Sequence, residues 1–272
     1  MANRIVLFFL ISVLIASCAK QSDTDRPPKD AAVSTSTRAE EQGPYRIDVD
    51  TTVEIGGYIR NMLEDSQGNF WFGTVAGACR YDGKAFSPFT LPAAARDDYP
   101  TGVSSPRVIW STYEDSEGNI WFATNGAGVY RYDSTSLTNL SAQDGLCGDF
   151  VSGIVQDRLG NLWFATLNHG ICRYDGQAFT QFTKADGVNG DEVCQVYQDR
   201  AGNIWFPSEG YGVYRYDDKS MTNFGQKDGL GILAVQSIFE DTQERLWFGG
   251  GGGLYRYDGE TFIKVTKQGP WE

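Results

Sequence analysis

The sequence predicts an all-β fold of five four-stranded units, on three observations. A Trp-Phe pair recurs at near-constant spacing, glycine and aromatic residues are in excess, and no stretch carries the spacing of an amphipathic helix. Glycine supplies 32 of the 272 residues and aromatics 14%. Because glycine costs roughly 1 kcal/mol in a helix interior relative to alanine, this pairing suits short strands joined by tight turns. The formal charge of −12 argues against a phosphate-binding surface, so nucleic acid is not an expected partner. His169 is the single histidine, which excludes any mechanism that needs two.

Taken in order, the first element is an address. Arg4 precedes an apolar run of 12 residues from Ile5 to Ala16. A membrane span needs roughly 17–25 residues, so residues 1–17 read as a signal peptide. The run ends Ile15-Ala16-Ser17-Cys18, which resembles the lipobox of bacterial lipoproteins. That resemblance implies cleavage before Cys18 and its lipidation, hence export and a membrane anchor. Ordinary cleavage with Cys18 left as a free thiol is the alternative. Ala19 stands where an inner-membrane retention signal has Asp, which implies an outer-membrane anchor facing the periplasm. Residues 18–43 are polar, with Val33 their only larger aliphatic residue, and read as a disordered tether. Its r.m.s. reach is roughly 25–30 Å.

Residues 44–268 hold the repeats, and 269–272 are a short tail. The Trp-Phe pairs begin at Trp71, Trp121, Trp163, Trp205 and Trp247, with spacings of 50, 42, 42 and 42. An Asp lies six residues before each Trp: Asp65, Asp115, Asp157, Asp199 and Asp241. Four of them open an Asp-x-x-Gly-Asn turn, and the fifth has Glu244-Arg245 instead. Arg-Tyr-Asp follows each Trp, at Arg80, Arg131, Arg173, Arg215 and Arg256. Turn signals divide the third unit into strands at Phe150–Gln156, Leu162–Thr166, Gly170–Tyr174 and Ala178–Thr183. A period near 42 residues with four strands is the signature of a β-propeller blade. The units run over about 58–90, 108–141, 150–183, 192–224 and 234–266. Tyr45–Val49 falls in the register of a preceding fourth strand, expected to join the last blade and help close a ring.

Glu-Asp-x-x-Gly-Asn-Ile-Trp-Phe, then Gly-Val-Tyr-Arg-Tyr-Asp and Asp-Gly-Leu, resembles the two-component regulator propeller repeat. The likeness spans residues 58–266. It implies a propeller of the kind that forms sensor regions ahead of a signalling domain. No kinase or helix-turn-helix segment is recognisable in the 272 residues, so a non-enzymatic binding module serving a separate envelope sensor or assembly is expected. The repeats also resemble streptogramin-inactivating lyases, which implies an envelope lyase or hydrolase as the competing reading. That chemistry is understood to use a pair of histidines with a glutamate, and His169 supplies only one.

Positions identical in every unit read as scaffold, because each blade needs its neighbours for stability. Positions that differ read as candidate site. Five residues before the turn Asp stand Arg60, Trp110, Ser152, Cys194 and Gln236; four before stand Asn61, Ser111, Gly153, Gln195 and Ser237. Innermost strands face the central channel, so these side chains are expected at one mouth. There Arg60, Trp110, Ser152, Gln195 and Gln236 suit a small polar or glycan ligand, or a partner protein. The plainer alternative is that Trp110 and Arg60 fill a narrow channel. The loops between blades share this mouth with the second turns, bringing Asn125, His169, Glu209 and Tyr211 to it, along with Asp149, Asp191 and Glu192. His169 alone reads as a solvated turn residue. No metal-ligand spacing appears, and neither a cofactor nor a catalytic set is expected. Among the remaining cysteines, Cys172 with Cys194, Cys147 with either, or free buried thiols are all open, while Cys79 and Cys172 lie two blades apart.

Overall fold

The structure, a computed structural model, describes residues 58–92, 108–232 and 234–269. The signal segment, Cys18, the tether, Tyr45–Val49 and most of the long loop at Thr90–Arg107 lie outside the described residues. Five antiparallel four-stranded sheets follow one another, each in simple chain order. Blade 1 comprises β1 (Ile59–Glu64), β2 (Phe70–Thr74), β3 (Gly77–Tyr81) and β4 (Phe86–Phe89). Blade 2 comprises β5 (Ile109–Glu114), β6 (Ile120–Thr124), β7 (Val129–Tyr132) and β8 (Leu137–Leu140). Blade 3 comprises β9 (Val151–Gln156), β10 (Leu162–Thr166), β11 (Gly170–Tyr174) and β12 (Phe179–Phe182), close to the ranges read from turn signals. Blade 4 comprises β13 (Tyr197–Gln198), β14 (Ile204–Ser208), β15 (Gly212–Tyr216) and β16 (Met221–Phe224). Blade 5 comprises β17 (Val235–Glu240), β18 (Leu246–Gly250), β19 (Gly253–Tyr257) and β20 (Phe262–Lys264). The first strands of blades 1 to 3 lie side by side, as innermost strands do. The fold is a five-bladed β-propeller array.

The repeated residues explain themselves at the first turn of each blade. Asp65 Oδ1 accepts from the backbone N–H of Gln67 and Asn69, and Oδ2 accepts from Trp71 Nε1 at 2.8 Å. The same Asp–Trp bond recurs at 2.7, 2.8, 2.7 and 2.9 Å in the following blades. It satisfies the one polar atom of a tryptophan that otherwise fills the seam between blades. The Arg of Arg-Tyr-Asp covers that ring, with Arg80 Cζ 5.6 Å from the Trp71 ring and Arg80 Nη2 donating to Asn69 Oδ1 at 2.8 Å. Blade 5 departs from Gly-Asn without losing the device. Arg245 Nε donates to Asp241 Oδ2 at 2.7 Å and its guanidinium covers Trp247 at 5.4 Å.

Each seam is aromatic. Trp71 packs edge-on against Phe89 of its own blade and against Phe122 and Tyr132 of the next. Trp205 packs edge-on against Phe248 and Tyr257 of the next blade and stacks on Phe224 of its own. The expected closure through Tyr45–Val49 lies outside the described residues; among those described, blades 1 and 5 each leave one face exposed, at Met62 and Phe239. Periodicity specifies what each seam contains but not the curvature that would bring the last blade onto the first.

Candidate binding face

The mouth opposite the Asp–Trp turns is built from second turns and inter-blade loops. Thr74, Thr124, Thr166 and Ser208 end the second strands and are buried. Thr124 Oγ1 donates to Gly128 O and accepts from Ala127 N–H, which folds the turn back. The next blade's loop then caps it: Asp149 O accepts from Gly126 and Gly128 N–H, and Asp191 O accepts from Gly170 N–H. The segments ending Asp-Gly-Leu, or Asp-Gly-Val in blade 3, form single 3-10 turns at Ala142–Asp144, Lys184–Asp186 and Gln226–Asp228. Asp144 accepts from the N–H and hydroxyl of Ser141, Gly145 follows at φ 99°, and Leu146 is buried. These motifs lie on the variable face but serve the scaffold.

The five-before column owes its position to a feature the spacing did not reveal. The ladder between first and second strands is bulged in four blades, skipping Arg60, Trp110, Ser152 and Gln236. A bulge leaves its extra residue unpaired and re-aims the side chain. Arg60 and Trp110 meet there, with Arg60 Cζ 3.9 Å from the Trp110 ring centroid. Partial burial of the guanidinium lowers its pKa from the ordinary arginine value. Trp110 Nε1 donates to Asn125 Oδ1 at 3.0 Å, and the Asn125 N–H donates to Val108 O at 3.1 Å. Three of the nine candidates thus come together across blades 1 and 2: a cation on an indole face, with the indole's polar edge held by a buried amide.

The others fall out by blade. Ser152 Oγ lies 2.7 Å from Val193 O and 3.2 Å from Ala165 O, tying blade 3 to blade 4. Gln195 lies after the bulge position, in the four-before column, and faces the neighbouring blade: its Oε1 accepts from Ile238 N–H at 3.2 Å. Asn61 shares that column and exchanges hydrogen bonds with Thr112. Gln236 is exposed. His169 is exposed too, with its ring against Gly148, where a Cβ would stand 2.5 Å from Nδ1. Tyr211 is exposed beside Gly190, and its carbonyl accepts from Asn223 Nδ2.

Of the acidic residues, Asp149 is a strut, its carboxylate accepting from Ala142 N–H at 2.7 Å. Glu192 and Glu209 form a pair. Burial of Glu192, then the charge and hydrogen bond of Glu209 and the charge of Asp191, raise the Glu192 pKa. The Glu209 N–H donates to Glu192 O, which fixes the two backbones together. One clue to this pair was legible, since both residues fall in columns where other blades carry neutral side chains. Cys147 is bonded to Cys172, one of the pairings the sequence left open, while Cys79 is buried and Cys194 exposed.

The family model for the two component regulator propeller matches residues 54–76, 102–126 and 145–168, the entry to blades 1, 2 and 3 through their second turns. The chain carries this propeller repeat. Among solved structures, the propeller is similar to the extracellular domain of the hybrid two component system BT3049 from B. thetaiotaomicron, with 24% identity and a TM-score of 0.64. That match covers 75% of this chain and 28% of the other. For BT4673 from the same organism identity is 20% and the TM-score 0.63, over 82% and 33% of the two chains. A catalytically inactive virginiamycin B lyase from Staphylococcus aureus, solved with Quinupristin, is 21% identical at a TM-score of 0.55, over 78% and 70%. This chain spans about a third or less of the two sensor-system structures. No curated protein matches it.

Proposed function

We propose that this propeller is an exported, non-enzymatic sensor or scaffold module that binds a small polar or glycan ligand at the bulged mouth. The observation that carries this is the Arg60–Trp110–Asn125 cluster, built at the mouth where the side chains differ from blade to blade. An indole face with a guanidinium beside it suits a sugar ring bearing a carboxylate, since the ring stacks on the aromatic and the anion meets the cation. Extracellular domains of two component systems with the same fold support an extracytoplasmic role. The lipobox-like Ile15-Ala16-Ser17-Cys18 supports a lipid anchor, and with it an outer-membrane address and an envelope sensor as partner.

The test is a panel of neutral and acidic envelope glycan fragments, read by thermal shift on the full chain in mild detergent. We expect an acidic fragment to raise the unfolding temperature, with Trp110→Ala and Arg60→Ala each abolishing the shift. A shift that survives both substitutions places the ligand elsewhere and defeats the reading. In the same preparations Cys18→Ser should move the protein out of the membrane fraction; unchanged partitioning would refute the anchor. Turnover of a fragment, lost in His169→Ala, would favour the lyase reading over binding.

A further inference from the structure

Four seams inside the chain share one design with two complementary halves. The forward half of each blade offers its tryptophan, and Trp71, Trp121, Trp163 and Trp205 are all buried beneath the next blade. Beside them Leu63, Tyr113, Val155 and Tyr197 pack into the same seams. The rear half of the next blade answers with Phe122, Phe164, Phe206 and Phe248, which are wholly buried. In three of the four seams a polar latch runs from the residue after the turn Asp to the last residue of the next first strand. Ser66 donates from its N–H and hydroxyl to the Glu114 carboxylate at 2.7 and 2.6 Å. Ser116 N–H donates to Gln156 Oε1, and Arg200 N–H to Glu240 Oε2, both at 2.7 Å.

The two ends of the array present the same halves uncovered. On blade 5 the forward half is open: Phe239 is 58% exposed and Leu254 38%, and with Trp247 they line a shallow recess floored by Ser237 and Gly249. Their counterparts Val129, Ile171 and Val213 in the place of Leu254 are fully buried. On blade 1 the rear half is open: Met62 is 55% exposed, Ile59 44% and Phe70 38%. The equivalent Thr112, Ile109 and Ile120 of blade 2 are buried. The latch is open as well, since Thr242 follows Asp241 and Glu64 occupies the place of Glu114, both exposed. Contiguous exposed apolar faces of this kind mark interaction surfaces.

We propose that the propeller associates head to tail, the forward face of blade 5 in one copy seating the rear face of blade 1 in a second copy. The occupant follows from the seam itself. Among the described residues blade 1 alone presents an uncovered rear half, and it carries the apolar set and the acidic latch residue that blade 5 lacks a partner for. Joining them continues an interface the chain already makes four times, Glu64 accepting from the Thr242 backbone of its neighbour. Such a contact uses two different patches per copy, so it builds a ring or a chain of copies rather than an isologous pair.

Because the contact is heterologous, it can be broken from either side. Phe239→Lys blocks only the forward face and Met62→Lys only the rear, and both sites are exposed, so each variant should fold. Sedimentation velocity on the full chain in detergent should show the wild type growing in mass with concentration and each variant weakened roughly tenfold or more. Mixed in equal amounts, the two variants should form a two-copy species and nothing larger, since one intact forward face meets one intact rear face. A wild type that stays monomeric at every concentration overturns the proposal, and so does a mixture that stays monomeric while the wild type assembles. If the wild type is monomeric and both variants lower its unfolding temperature non-additively, the ends close on each other within one chain instead.

Discussion

The two ends of each blade are made from the same chain under opposite rules. At the Asp–Trp end the same Asp–Trp bond recurs in every blade, and at the mouth the five-before position carries a different side chain in each. Carboxylates register the difference. Burial alone would raise the Asp65 pKa, yet hydrogen bonds from Trp71 and Asn69 together bring it below the ordinary value. Asp82, in the turn between β3 and β4 at the same end, is lowered by the backbone N–H groups of Ala85 and Lys84. At the mouth, burial and a neighbouring acid push Glu192 the other way. The regular end surrounds its charges with donors fixed by the fold, whereas the mouth, beside struts such as Asp149, also holds Glu192 and Glu209 close together. Repetition has settled the energetics of one end, and the other is left able to diverge.

If the regular end is scaffold, its tryptophans should dominate stability, and the effect should follow how completely each is covered. Trp163 is fully buried, stacked on Phe182 at 5.1 Å and packed on Tyr216 of the next blade at 5.2 Å. Trp163→Ala should cost about 3–5 kcal/mol in chemical unfolding, a large share of a typical domain's stability. Trp247 keeps its bond to Asp241 but has no following blade over it, so Trp247→Ala in dilute protein should cost roughly half as much. Equal losses would mean that Trp247 is covered in solution as fully as Trp163. That result would remove the distinction between inner and end blades.

Much of this was legible in the sequence because it is written several times. The Asp–Trp spacing, the strand boundaries of blade 3 and the sorting of loops to one end all follow from columns of like residues. Two things were not. The five-before and four-before columns were both expected at the mouth, but adjacent strand residues face opposite ways: the bulge presents Arg60 there, while Asn61 and Gln195 turn into the seam. A bulge of one residue leaves no mark in composition. The uncovered faces were equally hidden, since Met62, Ile59 and Phe239 are the same apolar types that their buried counterparts are. Burial of a repeat's end depends on what lies beside it, which a column of similar residues cannot encode.

The smallest expected effect is also the one that separates the two ends most cleanly. Of the arginines that lie over tryptophans, Arg215 and Arg60 stand at opposite ends. Arg215 lies over Trp205 at 5.7 Å and Phe224 at 5.4 Å, and its Nη1 donates to Tyr257 OH of the next blade at 3.2 Å. Arg60 lies closer, 3.9 Å from the Trp110 centroid, but its side chain is largely open to solvent. Proximity to a ring favours Arg60, and burial with a bridging hydrogen bond favours Arg215. Burial should win, because water screens an exposed cation while a seam does not. Arg215→Ala should therefore cost about 1–2 kcal/mol. Arg60→Ala should cost less than about 1 kcal/mol while removing the glycan-induced thermal shift. A stability loss at Arg60 that matches or exceeds the loss at Arg215 would make it a channel strut, and the mouth would then be scaffold like the other end.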